Sequence, residues 1–126
     1  MTDDLRRVLS GRRILVVEDE RLIALDIRNL LEGCGCAVIG PVATTSAALA
    51  LIGEHSPDAA ILDVHLGNET SEPIADALRA RGRPFLVLTA YQRSHLTGAL
   101  RDAPLLNKPF DDRRLRHELC ALLEGA

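Results

Sequence analysis

Five short apolar runs, each no longer than a single strand, alternate along this chain with stretches whose apolar residues recur at helical spacing. The runs are Ile14–Val17, Ala37–Ile39, Ala59–Leu62, Phe85–Leu88 and Leu105–Leu106; the first, third and fourth are four residues each. An unbroken apolar run of that length suits a strand covered on both faces, because a strand with one wet face would alternate. Between the runs, Ile23, Ile27, Leu30 and Leu31 follow i, i+4, i+7, i+8, and Leu115, Leu119, Leu122 and Leu123 repeat the pattern. Ala48, Leu51 and Ile52, then Ile74, Ala75 and Leu78, then Leu96, Ala99 and Leu100 form three shorter stripes. Five such units predict an α/β fold, a (βα)5 doubly wound parallel sheet with helices on both faces.

Prolines order the sheet. A residue without an N–H is tolerated at edges, strand starts and bulges, so Pro41 after the second run and Pro104 before the fifth place those two strands outermost. The flavodoxin-like order 2-1-3-4-5 satisfies this, and its binding crevice lies outside the carboxyl ends of the central strands.

A chain of 126 residues with 47% hydrophobic side chains fits one domain, expected over 14–126, that buries about two thirds of its unfolded surface. Residues 1–13 form a lead in which Leu5, Val8 and Leu9 stand at helical spacing, predicting a short helix packed on the domain. The opening MTDDLRRVLSGRR lacks the apolar stretch of a signal peptide, and no apolar run is long enough to span a bilayer, so a soluble, cytoplasmic protein is expected. A net charge of −3, scarce lysine and three aromatic residues argue against nucleic acid or an anionic membrane as partner. Cys34-Gly-Cys36 lacks a second Cys or His pair for zinc, so the three cysteines are read as buried or incidental thiols of a reducing compartment.

The predicted topology gathers the chemistry. The first strand ends in Glu18-Asp19, the third in Asp63, the fourth in Thr89, and the fifth runs through Asn107 to Lys108-Pro109. In a parallel sheet these ends share one pole. Taken singly, the acids could be helix N-terminal or turn residues, Thr89 a strand residue and Lys108 a surface lysine. Together they put three carboxylates in one crevice, where each pair about 5 Å apart repels by roughly 3 kcal/mol at an intermediate dielectric. Lys108 offsets part of that, and a divalent cation such as Mg²⁺ suits the all-oxygen remainder.

The motifs VVEDE, ILDVHL, VLTAY and NKPF, in this order from Ile14 to about Leu123, resemble the receiver domains of two-component response regulators. The resemblance implies that Asp63 is the phospho-acceptor, attacking a phosphohistidine of a histidine kinase or histidine phosphotransfer protein. It implies that Mg²⁺, with Mn²⁺ or Ca²⁺ able to substitute, is held by Asp19 directly, Glu18 through water, Asp63 and the backbone carbonyl of His65. Lys108 would pair with one phosphoryl oxygen and the Thr89 hydroxyl would donate to another, while the bond before Pro109 would be cis, as in family members. Such a protein is no turnover enzyme, although it catalyses its own phosphorylation and dephosphorylation. It signals through protein contacts near the fourth and fifth helices, as a monomer or a phosphorylation-dependent dimer. His65 and Tyr91 flank the pocket and are expected to gate attacking water; metal ligation by the His65 side chain is the lesser reading. His55, His95 and His117 are read as surface or helix-end residues.

Several features depart from the family. Leu105 stands where many receivers carry an aromatic residue that couples phosphorylation to the surface. The stretch PFLVLTAY resembles a subgroup of proteobacterial stand-alone regulators reading Pro-Phe-x-Phe-Ala-Thr-Gly-Tyr, matching at Pro84, Phe85, Thr89 and Tyr91 only. LGNETSEP lacks the Pro-Gly turn often found after the acceptor. A stand-alone regulator is expected, with a phosphoryl shuttle or sink in a phosphorelay as the alternative. A small aspartate-nucleophile phosphatase is a third reading, but it would want a second Asp where this chain has His65. A flavodoxin-like cofactor binder would need a phosphate-cradling loop where VVEDE presents anions, and a pseudo-receiver would not need Asp63, Asp19 and Lys108.

Overall fold

Ile14 and Val16 of β1 (Arg13–Val17) lie in one apolar core, while Leu15 and Val17 lie in another. Successive side chains of a strand point to opposite faces, so a strand with two dry faces has no polar position to spare. The computed structural model describes residues 3–90 and 96–125.

β1 joins β2 (Ala37–Val42), β3 (Ala59–Asp63), β6 (Phe85–Thr89) and β7 (Leu105–Asn107) in a parallel sheet of order β2-β1-β3-β6-β7. Counting these five strands alone, this is the expected order 2-1-3-4-5. Val17 pairs with Leu62, Asp63 with Leu88 and Thr89 with Asn107, so the three central strands and β7 end level with one another.

On one face, α2 (Arg21–Gly33) and α5 (Asp112–Glu124) bury Ile27, Leu31, Leu115 and Leu119 against Ile14 and Val16. On the other, α3 (Thr45–His55) and α4 (Glu72–Ala80) bury Ala48, Ile52, Ile74 and Leu78 against Leu15 and Val17. Side chains cap two of these helices: Thr44 Oγ1 accepts from Ala47 N at 3.2 Å, and Asp111 Oδ1 accepts from Arg114 N at 2.7 Å.

Both prolines sit at the sheet's edges. Pro41 lies within β2 where its register against β1 slips between Leu15 and Val17. Gly40 before it has φ +94°, and a Cβ there would meet the backbone of Val42 at 2.9 Å and of Val16 at 3.0 Å. Pro104 precedes β7 and its carbonyl accepts from Val87 N at 2.9 Å. The peptide bond before Pro109 is cis, as expected, and so is the one before Pro41.

The lead forms a helix, α1 (Asp3–Leu9), that packs on α5. Leu9 is fully buried, and Leu5 and Val8 pack partly buried against the same core. Beneath α1 lie the three free, buried thiols. Cys36 Sγ donates to the Leu9 carbonyl at 3.3 Å and Cys120 Sγ to the Leu5 carbonyl at 3.8 Å. Burial, reinforced by the neighbouring Cys34 and Cys120, pushes the Cys36 thiol up to about 12.

Two elements differ from expectation. The stripe Leu96, Ala99 and Leu100 is buried, but among the described residues it carries a 3-10 turn over Gly98–Leu100 instead of an α-helix. Gly98 has φ +59°, outside the right-handed helical region, and Pro104 soon ends the segment. LGNETSEP is not a plain loop: β4 (His65–Leu66) and β5 (Glu69–Thr70) form an antiparallel hairpin directly after Asp63. Gly67, with φ +64°, takes the first central position of its two-residue turn, where a positive φ is required.

Candidate functional site

The level strand ends bring Glu18, Asp63, Thr89 and Lys108 to one pole of the sheet. Asp63 is the last residue of β3 and is 7% exposed; Thr89, the last of β6, is 1% exposed, and Glu18, just past β1, is 2% exposed. Lys108 follows β7, its backbone N–H donating to the Thr89 carbonyl at 2.9 Å. From there its Nζ reaches Glu18 Oε2 at 3.0 Å and Asp63 Oδ2 at 3.2 Å, with Glu20 Oε1 at 3.7 Å.

The carboxylate group differs by one member from the sequence reading. Glu18, Glu20 and Asp63 each place a carboxylate oxygen within 4.8 Å of the others. Asp19 does not join them. Its Oδ2 accepts from the backbone N–H of Gly67, at the hairpin tip, at 2.9 Å. Alternation explains the exchange: Glu20 stands two residues beyond Glu18 in extended backbone (φ −83°, ψ 110°), so it returns to the side that Asp19 leaves.

One ammonium against three carboxylates leaves the pocket with uncompensated negative charge. Burial, together with the hydrogen bond and charge of Asp63, raises the Glu18 carboxyl from 4.5 to about 7, against the opposing bonds from Lys108 and the Glu20 N–H. Burial alone would lower the Lys108 ammonium, but its contacts with Glu18 and Asp63 outweigh that and raise it. Oxygen donors this close, with charge still to neutralise and no nitrogen or sulfur ligand among them, fit a hard divalent cation such as Mg²⁺.

Of the remaining expected residues, His65 lies exposed on β4, paired with Thr70. Tyr91 lies outside the described residues, as does His95. Leu105 is half-buried and packs against the α3/α4 core. Sequence reasoning missed Glu20 and Gly67; the alternation of a strand continuing through VVEDE was the signal for the first.

Beside the pocket, an open cleft of about 440 Å³ runs between α2 and the start of α5. Ile23, Ile27, Leu30 and Phe110 line it, with Lys108 and Glu20 at its polar end.

Comparison with known proteins finds relatives along most of the chain. The family model described as "Response regulator receiver domain" matches residues 14–120. The chain is 37% identical over 117 residues to the phyllosphere-induced regulator PhyR of Methylorubrum extorquens, covering 87% of this chain and 44% of that protein. It is 34% identical over 103 residues to the transcriptional regulatory protein PdtaR of Mycobacterium tuberculosis, covering 79% of this chain and 50% of that protein. The chain thus spans about half the length of these curated relatives. Among solved structures, SdrG from Sphingomonas melonis superposes with a TM-score of 0.78 at 42% identity, covering 90% of this chain and 97% of that one. PhyR from Brucella abortus gives a TM-score of 0.81 at 27% identity, covering 94% of this chain and 51% of that one.

Proposed function

Because the chain belongs to the response regulator receiver family, we propose that Asp63 accepts a phosphoryl group from a phosphohistidine on a histidine kinase or phosphotransfer protein. The observation that carries this reading is the placement of one ammonium, Lys108 Nζ, against both Glu18 and Asp63 at the carboxyl end of a buried strand. A carboxylate on rigid backbone at the mouth of a crevice is a positioned nucleophile.

An Asp63 oxygen attacks phosphorus, the new P–O bond forms as the P–N bond to imidazole breaks, and the freed imidazole takes up a proton. Lys108 then exchanges its bond to the Asp63 oxygen for one to a phosphoryl oxygen, and the Thr89 hydroxyl donates to another. Mg²⁺, for which Mn²⁺ or Ca²⁺ can stand in, neutralises charge on the transferring group when bound. Glu18, Asp63, Asp19 and the backbone carbonyl of His65 are its proposed protein ligands, with Glu20 at the rim. The cleft lined by Ile23, Ile27, Leu30 and Phe110 gives the partner's helix an apolar seat next to Lys108.

The aspartyl phosphate adds nearly two negative charges to an already acidic pocket, which drives Lys108 and the loops around it to rearrange and changes which protein the domain binds. His65 and Tyr91 gate the water that ends the signal; a double His65→Ala, Tyr91→Ala variant is expected to change the dephosphorylation rate.

The test is incubation with acetyl phosphate and Mg²⁺ followed by intact-mass measurement. The wild-type chain should gain one phosphoryl group and Asp63→Asn none. Steady consumption of the donor with no phosphoryl group retained on the chain would favour a phosphatase, and neither uptake nor consumption would overturn the reading.

A further inference from the structure

Asp19 and the hairpin that follows Asp63 hold one another. The tip is fixed by the bond from Gly67 N–H to Asp19 Oδ2 at 2.9 Å, and the base by Ser71 N–H donating to the Val64 carbonyl at 2.9 Å. Along its side, Thr45, the first residue of α3, donates from its backbone N–H to Glu69 Oε1 and from its hydroxyl to the Thr70 carbonyl, each at 3.4 Å. The hairpin therefore spans from the acidic pocket to the start of α3. The tip bond joins it to the VVEDE segment.

Asp19 is a neighbour of Glu18 in sequence, and its carboxylate is committed to a single backbone donor. The bond lies at an exposed amide, where water already competes with it, so a divalent cation held by Glu18 and Asp63 would compete for the Asp19 carboxylate as well. We infer that Asp19 is a positioning residue with two alternative partners. In the cation-free protein it latches the hairpin through Gly67; when a cation recruits its carboxylate, the hairpin tip is released and the change reaches α3 through Glu69, Thr70 and Thr45. This rests on the acceptor reading above and deepens it, because it gives the pocket a route to the surface that does not pass through position 105, where this chain has Leu.

Amide hydrogen exchange and amide chemical shifts at Gly67 and Thr45, followed during Mg²⁺ titration of the full chain, test the inference. Saturation with Mg²⁺ should speed Gly67 exchange roughly fivefold to tenfold and shift Thr45 with the same midpoint. Asp19→Ala should show the fast Gly67 exchange without any cation. Asp19→Asn keeps an acceptor for the amide but loses the charge, so Gly67 should stay protected at Mg²⁺ concentrations that release the wild type. Mg²⁺ binding detected at Val64 and by calorimetry with no change at Gly67 would overturn the latch while leaving the acceptor reading intact. Absence of any Mg²⁺ response would overturn both. Slow Gly67 exchange in cation-free Asp19→Ala would overturn the latch regardless of how the cation behaves.

Discussion

Lys108 Nζ lies 3.0 Å from Glu18 Oε2 and 3.2 Å from Asp63 Oδ2, so a residue beyond the last strand bridges carboxylates from β1's end and β3. The bridge ties three chain segments through one partly buried charge, and its removal exposes what it compensates.

Lys108→Met should therefore leave Glu18, Glu20 and Asp63 with no cation among them. Stability without divalent metal is expected to fall by about 2 kcal/mol above neutral pH, less than for a fully buried pair because the Lys108 side chain is 15% exposed. Added Mg²⁺ should restore more stability to this variant than to the wild type. Urea unfolding with and without Mg²⁺ measures both effects.

Glu18 makes cation-free stability depend on pH. Its carboxyl is raised from 4.5 to about 7, so between those values the folded chain holds a proton that the unfolded chain has released. The stabilisation is complete below 4.5 and is lost as pH rises through about 7. Over that window the loss amounts to up to about 3 kcal/mol, and Glu18→Gln should flatten it. Mg²⁺ competes with the same proton, so its affinity should rise across the upper part of the window. Denaturation midpoints and calorimetry as functions of pH report the two.

Gly40→Ala is expected to destabilise the fold by more than about 2 kcal/mol. The residue has φ +94°, and its new methyl would press on backbone atoms of Val42 and Val16 that cannot rotate away. Gly67→Ala, with positive φ but open space around the position, should cost only about 1 kcal/mol. A smaller penalty at 40 than at 67 would contradict the bulge geometry.

The thiols should be silent in the native chain. Cys34, Cys36 and Cys120 are buried and raised by that burial, so a chromogenic aromatic disulfide should label none of them quickly near neutral pH. Leu9→Ala removes the fully buried anchor of α1 and is expected to cost about 2–5 kcal/mol while accelerating labelling of Cys36 and Cys120, whose sulfurs bond to α1 carbonyls.

The five principal strands were legible because burial on both faces leaves ILVV, AAIL and FLVL no polar position, and Pro41 and Pro104 then ordered them. Asp63 and Lys108 were legible for a related reason: once strand ends are assigned, a parallel sheet puts them at one pole. The hairpin was not, because strands of two residues carry no periodicity and their signal reduces to Gly67-Asn68. Nor was the division of labour in VVEDE, where three successive acids differ only in which way extended backbone turns them. The 3-10 turn was hidden by the apolar spacing of Leu96, Ala99 and Leu100, which a single left-handed glycine overrides.

The slip in register at β2, with Pro41 set into the outermost strand, also bears on how two copies of this domain can meet. A straight free edge would offer amides and carbonyls for another molecule's strand to zip onto; here proline removes a donor and the kink breaks the repeat. Strand-to-strand pairing of two copies along that flank is therefore disfavoured, and the edge is blunted without any element having to cover it.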